Sequence, residues 1–278
     1  MKTIKLLALS SIIAGTIFSC QKDEIKSEVN EIDNTPTKEQ LIKLSDMGVN
    51  TNNVTIKSIT DLDGSVADYF VNDTDLAIPV SDLQDQASLS SLSNGTKQYR
   101  TRNLISSNNR TIDVLGFTGG GGNGLDATNR QALQIAVNNY NRINSSLNLR
   151  LTFGTNYQAA DLVVYVRGDL GSGGLAGFPS RGRPYKWARI GPSVSRQGVT
   201  YASHVITHEM GHCVGLRHTD WFARVCNGVN EGQGSDGAIH IPGTPTGIDR
   251  LSVMISCPTG NENGVFSNGD VTALEYLY

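Results

Sequence analysis

The sequence predicts an α+β protein, and three observations carry the prediction. Short runs rich in Val, Ile, Leu and aromatic residues, bounded by Gly, Pro, Asn and Ser, recur between residues 112 and 190. A longer stretch from Asp126 to Asn144 repeats apolar residues at helical spacing, and a second helix is implied where His208 and His212 stand four apart. Glycine is frequent, 30 of 278 residues, and only 18% of residues are charged, as in a loop-rich exported protein. The formal net charge of −3 gives no reason to expect nucleic acid or an acidic polymer as partner.

Taken in order, the chain opens with Lys2 and Lys5 ahead of an apolar run from Leu6 to Phe18, too short to span a hydrocarbon core of about 30 Å. The run ends Ile17-Phe18-Ser19-Cys20, which resembles the lipobox of bacterial lipoproteins. That resemblance implies a signal peptide over residues 1–20, acylation of Cys20 and an exported protein anchored to a membrane rather than spanning it. An ordinary secretory signal with an incidental Cys is the plainer alternative. The run Lys22-Asp23-Glu24 resembles surface-export signals of Gram-negative lipoproteins, which implies the outer membrane or cell surface.

Residues 21–36 are polar and suit a tether. Thr37 can cap a helix that Gly48 stops, Val54 to Ile59 and Tyr69 to Val71 suit strands, and Ser81 to Leu92 a helix. Residues 21–100 are therefore expected to form a tether and a small pro-region ahead of a main domain over 101–278. Arg100 and Arg102 at the boundary are processing sites or ordinary surface arginines.

In the main domain, Ile112 to Phe117 is an expected strand and Gly119 to Gly124 a flexible turn; no Lys-Ser/Thr pair follows to make it a phosphate loop. Asp126 caps a helix whose Leu133, Ala136, Val137 and Tyr140 share a core-facing stripe. Leu149 to Phe153, Leu162 to Val166, Leu175 to Phe178 and Trp187 to Ile190 follow as strands, and a last helix is expected over Asn268 to Tyr278 with Asp270 in its first turn.

The chemistry lies in His204 to Trp221, HVITHEMGHCVGLRHTDW, where His208, Glu209, His212, Gly215 and His218 spell H-E-x-x-H-x-x-G-x-x-H. Two histidines one turn apart can point at one metal, and Glu209 stands beside them without being a ligand. Gly215 allows a left-handed turn that ends the helix and returns the chain so that His218 meets the same ion. Three imidazoles and an open position is the arrangement of a catalytic zinc.

The extended motif resembles the metzincin zinc proteases, and the wording around it resembles the dual-action HEIGH metallopeptidase family. The resemblance covers roughly residues 100 to 278. It implies a zincin-like catalytic domain of twisted mixed sheet and active-site helix, with Leu175 to Phe178 as the edge strand that receives an extended peptide. It also implies a tight turn at Ser252-Val253-Met254, with Met254 as the turn methionine. Where some metzincins carry a tyrosine two places further, this chain has Ser256. The implied activity is zinc-dependent endopeptidase, hydrolysing peptide bonds through a metal-activated water with Glu209 as general base. A surface binding module or adhesin that keeps the fold with little hydrolysis is the alternative; an intact Glu209 speaks against it.

Around this centre, His204 is read as packing or a hydrogen-bonding residue rather than a ligand, and His240 as pocket wall or plain loop. Asp220 or a backbone carbonyl would orient a ligand imidazole. Cys213 is a core thiol, while Cys226 and Cys257 flank the segment between third ligand and Met turn; a bond between them would stabilise by about 3–4 kcal/mol. Phe70-Val71-Asn72-Asp73 resembles the F-x-G-D motif of astacin-type pro-segments, implying that Asp73, or Asp75 in another register, fills the open zinc position in a latent form. The same Asn-Asp-Thr-Asp composition also makes an ordinary solvated turn.

Overall fold

A computed structural model describes residues 34–46, 51, 53–71, 77–83, 98–232, 238–245, 247–260 and 262–278. Cys20 and the two candidate switch residues, Asp73 and Asp75, lie outside the described residues. By contacts the chain divides into Met1–Asp33 and Asn34–Tyr278, and the second unit holds everything described. Among the described residues no helix is long and apolar enough to cross a membrane.

The elements are α1 (Lys38–Asp46), β1 (Thr55–Thr60), β2 (Val66–Val71), β3 (Ala77–Pro79), β4 (Tyr99–Arg100), β5 (Thr111–Phe117), α2 (Ala127–Arg142), β6 (Asn148–Gly154), β7 (Leu162–Val166), β8 (Gly174–Leu175), β9 (Trp187–Ile190), α3 (Val199–Cys213), β10 (Ile239–His240) and α4 (Asn268–Leu277). Five strands form a mixed sheet in the order β6-β5-β7-β9-β8. β5, β6, β7 and β9 run parallel, and β8 closes one edge antiparallel to β9. Parallel neighbours need a crossover, and α2 supplies the one between β5 and β6. Its N-cap is Asp126, whose carboxylate accepts the Asn129 backbone N–H at 2.8 Å.

β7 is buried along its whole length because both faces of the sheet are covered. On the inner face Leu162, Val164 and Val166 join Leu133, Ala136, Val137 and Tyr140 of α2 and Ala202, Ile206 and Met210 of α3 in the main core. On the outer face Val163 and Tyr165 pack with Leu115, Phe117 and Trp187, with Leu62 laid over them. Burial of this main core fixes α3 against the sheet, and with it His208 and His212.

The outer face also carries what precedes the main domain. β1, β2 and β3 form a separate antiparallel sheet, and its Ile59, Tyr69, Val71 and Ala77 pack onto Leu175 of β8. A buried ion pair rivets the two sheets. Arg189 of β9 is fully buried and donates through Nε and Nη2 to Asp61 at 2.8 and 2.7 Å, and the Tyr165 hydroxyl donates to the same carboxylate at 2.7 Å. The described part of the expected pro-region thus shares a core with the main domain. At the expected boundary, β4 pairs with β10 on one side and meets the chain after α3 on the other, where the Arg217 N–H donates to the Tyr99 carbonyl at 2.9 Å. Arg100 therefore sits inside paired structure, while Arg102 is exposed.

Removing one member of the Asp61–Arg189 pair strands a charge in a dry interface. Asp61→Ala should lower unfolding free energy by about 3–5 kcal/mol, measured by denaturant titration of the full chain. Asp61→Leu combined with Arg189→Met should lose far less, and equal losses would show that pairing of the charges is not what matters.

Candidate metal centre

Helix α3 presents His208 and His212 on one face, and its ending brings the third histidine. Gly215 adopts φ +99°, a value costly for any residue with a Cβ. The Leu216 N–H then donates to the Gly211 carbonyl and the Gly215 N–H to that of His212, both at 2.9 Å. This is a Schellman closure, and it turns the chain back toward the helix. The Nε2 atoms of His208, His212 and His218 converge, separated by 3.1, 3.1 and 3.2 Å. All three side chains are buried.

The opposite nitrogens decide what those three atoms can do. The Nδ1 of His208 donates to the Val253 carbonyl at 2.7 Å, and that of His212 to the Leu216 carbonyl at 2.9 Å. A carbonyl only accepts, so each of these rings carries its proton on Nδ1 and turns a lone pair inward from Nε2. The Nδ1 of His218 donates to Glu231 Oε1 at 2.6 Å. Lone pairs facing one another at such distances repel unless a cation lies among them. A tetrahedral zinc with bonds of about 2.0–2.1 Å spaces its ligand nitrogens about 3.3 Å apart, close to what is seen. The residues present fit that ion, and among the described residues this is the group with metal-holding spacing.

Glu209 is buried beside the triad. Its carboxylate lies against Gly174 of β8, where a Cβ would overlap it. Met254 is fully buried and packs its sulfur against Gly211, another position where a Cβ would collide. The turn containing Met254 is held by Asp270, which accepts from Ser252 Oγ at 2.6 Å, Val253 N at 2.8 Å and Gln98 Nε2 at 2.9 Å. Burial raises the Asp270 pKa above the usual carboxylate value, against the pull of Ser252 and the Val253 backbone.

The family comparison extends this local picture to most of the chain. The family model of the dual-action HEIGH metallo-peptidases matches residues 69–278. The chain belongs to this family. No curated protein matches the sequence. Two solved structures of myroilysin align with it at 15% and 14% identity, covering 59% and 66% of this chain and 77% and 90% of theirs, with TM-scores of 0.37 and 0.34. The HEIGH match starts within β2, so part of the segment expected as a pro-region falls inside the family's span.

The residues around the triad are placed as follows by their contacts. Asp220 does not reach a ligand imidazole; it accepts from Ser256 N at 3.0 Å, Ser256 Oγ at 2.7 Å and Val225 N at 2.8 Å, tying the third-ligand loop to the segment after the Met turn. Ser256, at the place of the tyrosine in some metzincins, is thereby occupied as a brace. Two backbone carbonyls, the other partner the sequence left open, and Glu231 orient the imidazoles; nothing in the spacing of Asn230-Glu231-Gly232 announced the role of Glu231. His204 packs one turn before His208, ring centroids 6.3 Å apart; burial first, then the neighbouring His208, lowers its pKa to about 4, so it is uncharged at neutral pH. His240 lies half-buried in β10, with its Nε2 3.3 Å from Thr244 Oγ1. Cys226 and Cys257 are joined with a Cα separation of 6.0 Å, and Cys213 is a buried free thiol whose pKa burial pushes up.

The ligand assignment has a direct check by elemental analysis of purified protein. His204→Ala should keep its bound zinc through a chelator wash that the parent survives, whereas His218→Ala should lose it. The reverse pattern would show the ligand set to be wrong.

Proposed function

We propose that this HEIGH-family protein is an exported zinc endopeptidase of the metzincin type, with Glu209 as its general base. The observation that carries this reading is the pairing of the three inward lone pairs with a buried carboxylate pressed against the sheet's edge strand. His208, His212 and His218 would hold the ion. A zinc bound there supplies Lewis acidity toward a carbonyl and lowers the pKa of a water to about 7.

The chain's own groups account for the rest. β8 ends the sheet, and an edge strand offers backbone N–H and C=O groups to an extended chain with little regard to its side chains. A peptide laid along Gly174 runs past the Glu209 carboxylate. Glu209, kept from bulk solvent, takes a proton from the attacking water as the water oxygen bonds to the carbonyl carbon. It then delivers that proton to the amine nitrogen as the C–N bond breaks. No serine or cysteine nucleophile is required, and the buried Cys213 thiol, with its raised pKa, is unsuited to act as one.

The substrate is thus a peptide or protein outside the cytoplasm. The apolar leader ending at Cys20 supports delivery as a membrane-anchored lipoprotein. Mass spectrometry of the mature N-terminus should find a diacylglyceryl-modified Cys20; an unmodified terminus elsewhere would remove the anchor. For the chemistry, Glu209→Ala should retain zinc while cleavage of an unbiased peptide library falls about 10²–10⁴-fold. Parent-like turnover in that variant would eliminate Glu209 as the base.

A further inference from the structure

Among the three ligands, His218 is held differently. His208 and His212 ride on one helix and give their Nδ1 protons to backbone carbonyls. His218 lies beyond Gly215 in irregular chain, where no helix fixes the ring, and its Nδ1 partner is the side chain of Glu231. That carboxylate is buried and flanked by two guanidiniums, with Arg224 Nε at 3.4 Å and Arg217 Nη2 at 3.9 Å. Its own position comes from a loop closed on itself. The Glu231 N–H donates to the Trp221 carbonyl at 2.7 Å, and within the loop Arg224 and Val229 pair at 2.9 Å. The loop is then pinned from outside: Cys226 at its far end is bonded to Cys257, and Arg224 Nη2 donates to the Ser256 carbonyl at 3.1 Å.

We propose that Glu231 is the positioning residue of the third metal ligand, and that the Cys226–Cys257 bridge holds it in place, so that metal retention depends on a covalent bond that does not touch the ion. A ring on irregular chain must have its orientation supplied, and a charge-assisted hydrogen bond of 2.6 Å supplies it. A carboxylate on a loop can do so only if the loop is itself immobile, and among the described contacts the bridge is the one covalent tie between this loop and the Met-turn segment. A histidine ligand whose outer partner is removed binds metal about 10–100-fold more weakly.

The inference rests on the zinc-binding reading of the triad but not on hydrolysis, so its test is made on full-length protein carrying Glu209→Ala, which cannot digest itself. Zinc dissociation constants are measured by competition with a chromogenic chelator, and thermal midpoints of the metal-free proteins are recorded alongside. E231A should bind zinc about 100-fold more weakly. E231Q, which keeps an acceptor oxygen for Nδ1 but not the charge, should recover part of that loss and bind about tenfold more weakly than the parent. A merely structural role would lower the metal-free midpoint without this graded recovery. C226S/C257S should weaken zinc binding several-fold and add nothing to the loss in E231A, because both act through one contact.

E231Q with parent-like zinc affinity overturns the positioning role, whether or not E231A folds. Unchanged affinity in C226S/C257S, or a fully additive loss with E231A, cuts the bridge out of it. A parent that binds no zinc sinks the underlying triad reading instead, whereas the chain with Glu209 intact binding zinc without cleaving peptides sinks only the proposed activity.

Discussion

Three imidazole nitrogens, each bearing a lone pair, are held 3.1–3.2 Å apart in a buried site, and the remaining parts of the site exist to keep them there. What prevents relaxation is the engagement of every outer nitrogen. Val253, Leu216 and Glu231 each take one Nδ1 proton, so no ring can flip or change tautomer without breaking a bond in a dry interior. These partners come from the Met turn, the helix terminus and the loop beyond the third ligand. Assembling the site therefore requires most of the main domain to be folded, and metal affinity becomes part of folding free energy.

The same logic explains why so many acids are buried in a chain with few charges. Asp61, Asp220, Glu231 and Asp270 are all buried, and each bridges segments remote in sequence: Asp61 to Arg189 and Tyr165, Asp220 to Ser256, Glu231 to His218, Asp270 to Gln98 and Ser252. A carboxylate out of water is tolerable only with its partners in place, so such groups penalise near-native arrangements more steeply than apolar contacts do. Hydrophobic burial brings the layers together, and the acids select the register at which they meet.

That division also sets what could be read beforehand. β7 and β9 match the expected Leu162 to Val166 and Trp187 to Ile190 because a buried strand declares itself in its own residues. The Asp126 cap and the helix of α4 were legible for the same local reason. The histidine triad could be read because its members lie within one helix and one turn, His208 and His218 only ten positions apart. β4 and β10 are two residues each and have no period to detect. Asp61 and Arg189 stand 128 positions apart, and Glu231 sits in a polar loop like many others; pairings of that kind leave no trace in local spacing. Asp220 and a backbone carbonyl looked equally suited to orient a ligand imidazole, and proximity of Asp220 along the chain said nothing of its direction.

The edge strand shows how the segment before the main domain reaches the surroundings of Glu209. β8 is two residues long, and successive residues of a strand face opposite ways. Gly174 faces inward, so close to Glu209 that any side chain there would displace the carboxylate. Leu175 faces outward into the cluster of Ile59, Tyr69, Val71 and Ala77. A strand this short has little rigidity of its own, and its height above the histidine helix is fixed from both sides: by the Glu209 carboxylate beneath and the N-terminal sheet above. The Asp61–Arg189 pair anchors that upper layer to β9, the strand to which β8 is hydrogen-bonded. The distance between β8 and the Glu209 carboxylate is therefore governed in part by β1, β2 and β3, which pack on the face of the sheet away from the histidine helix.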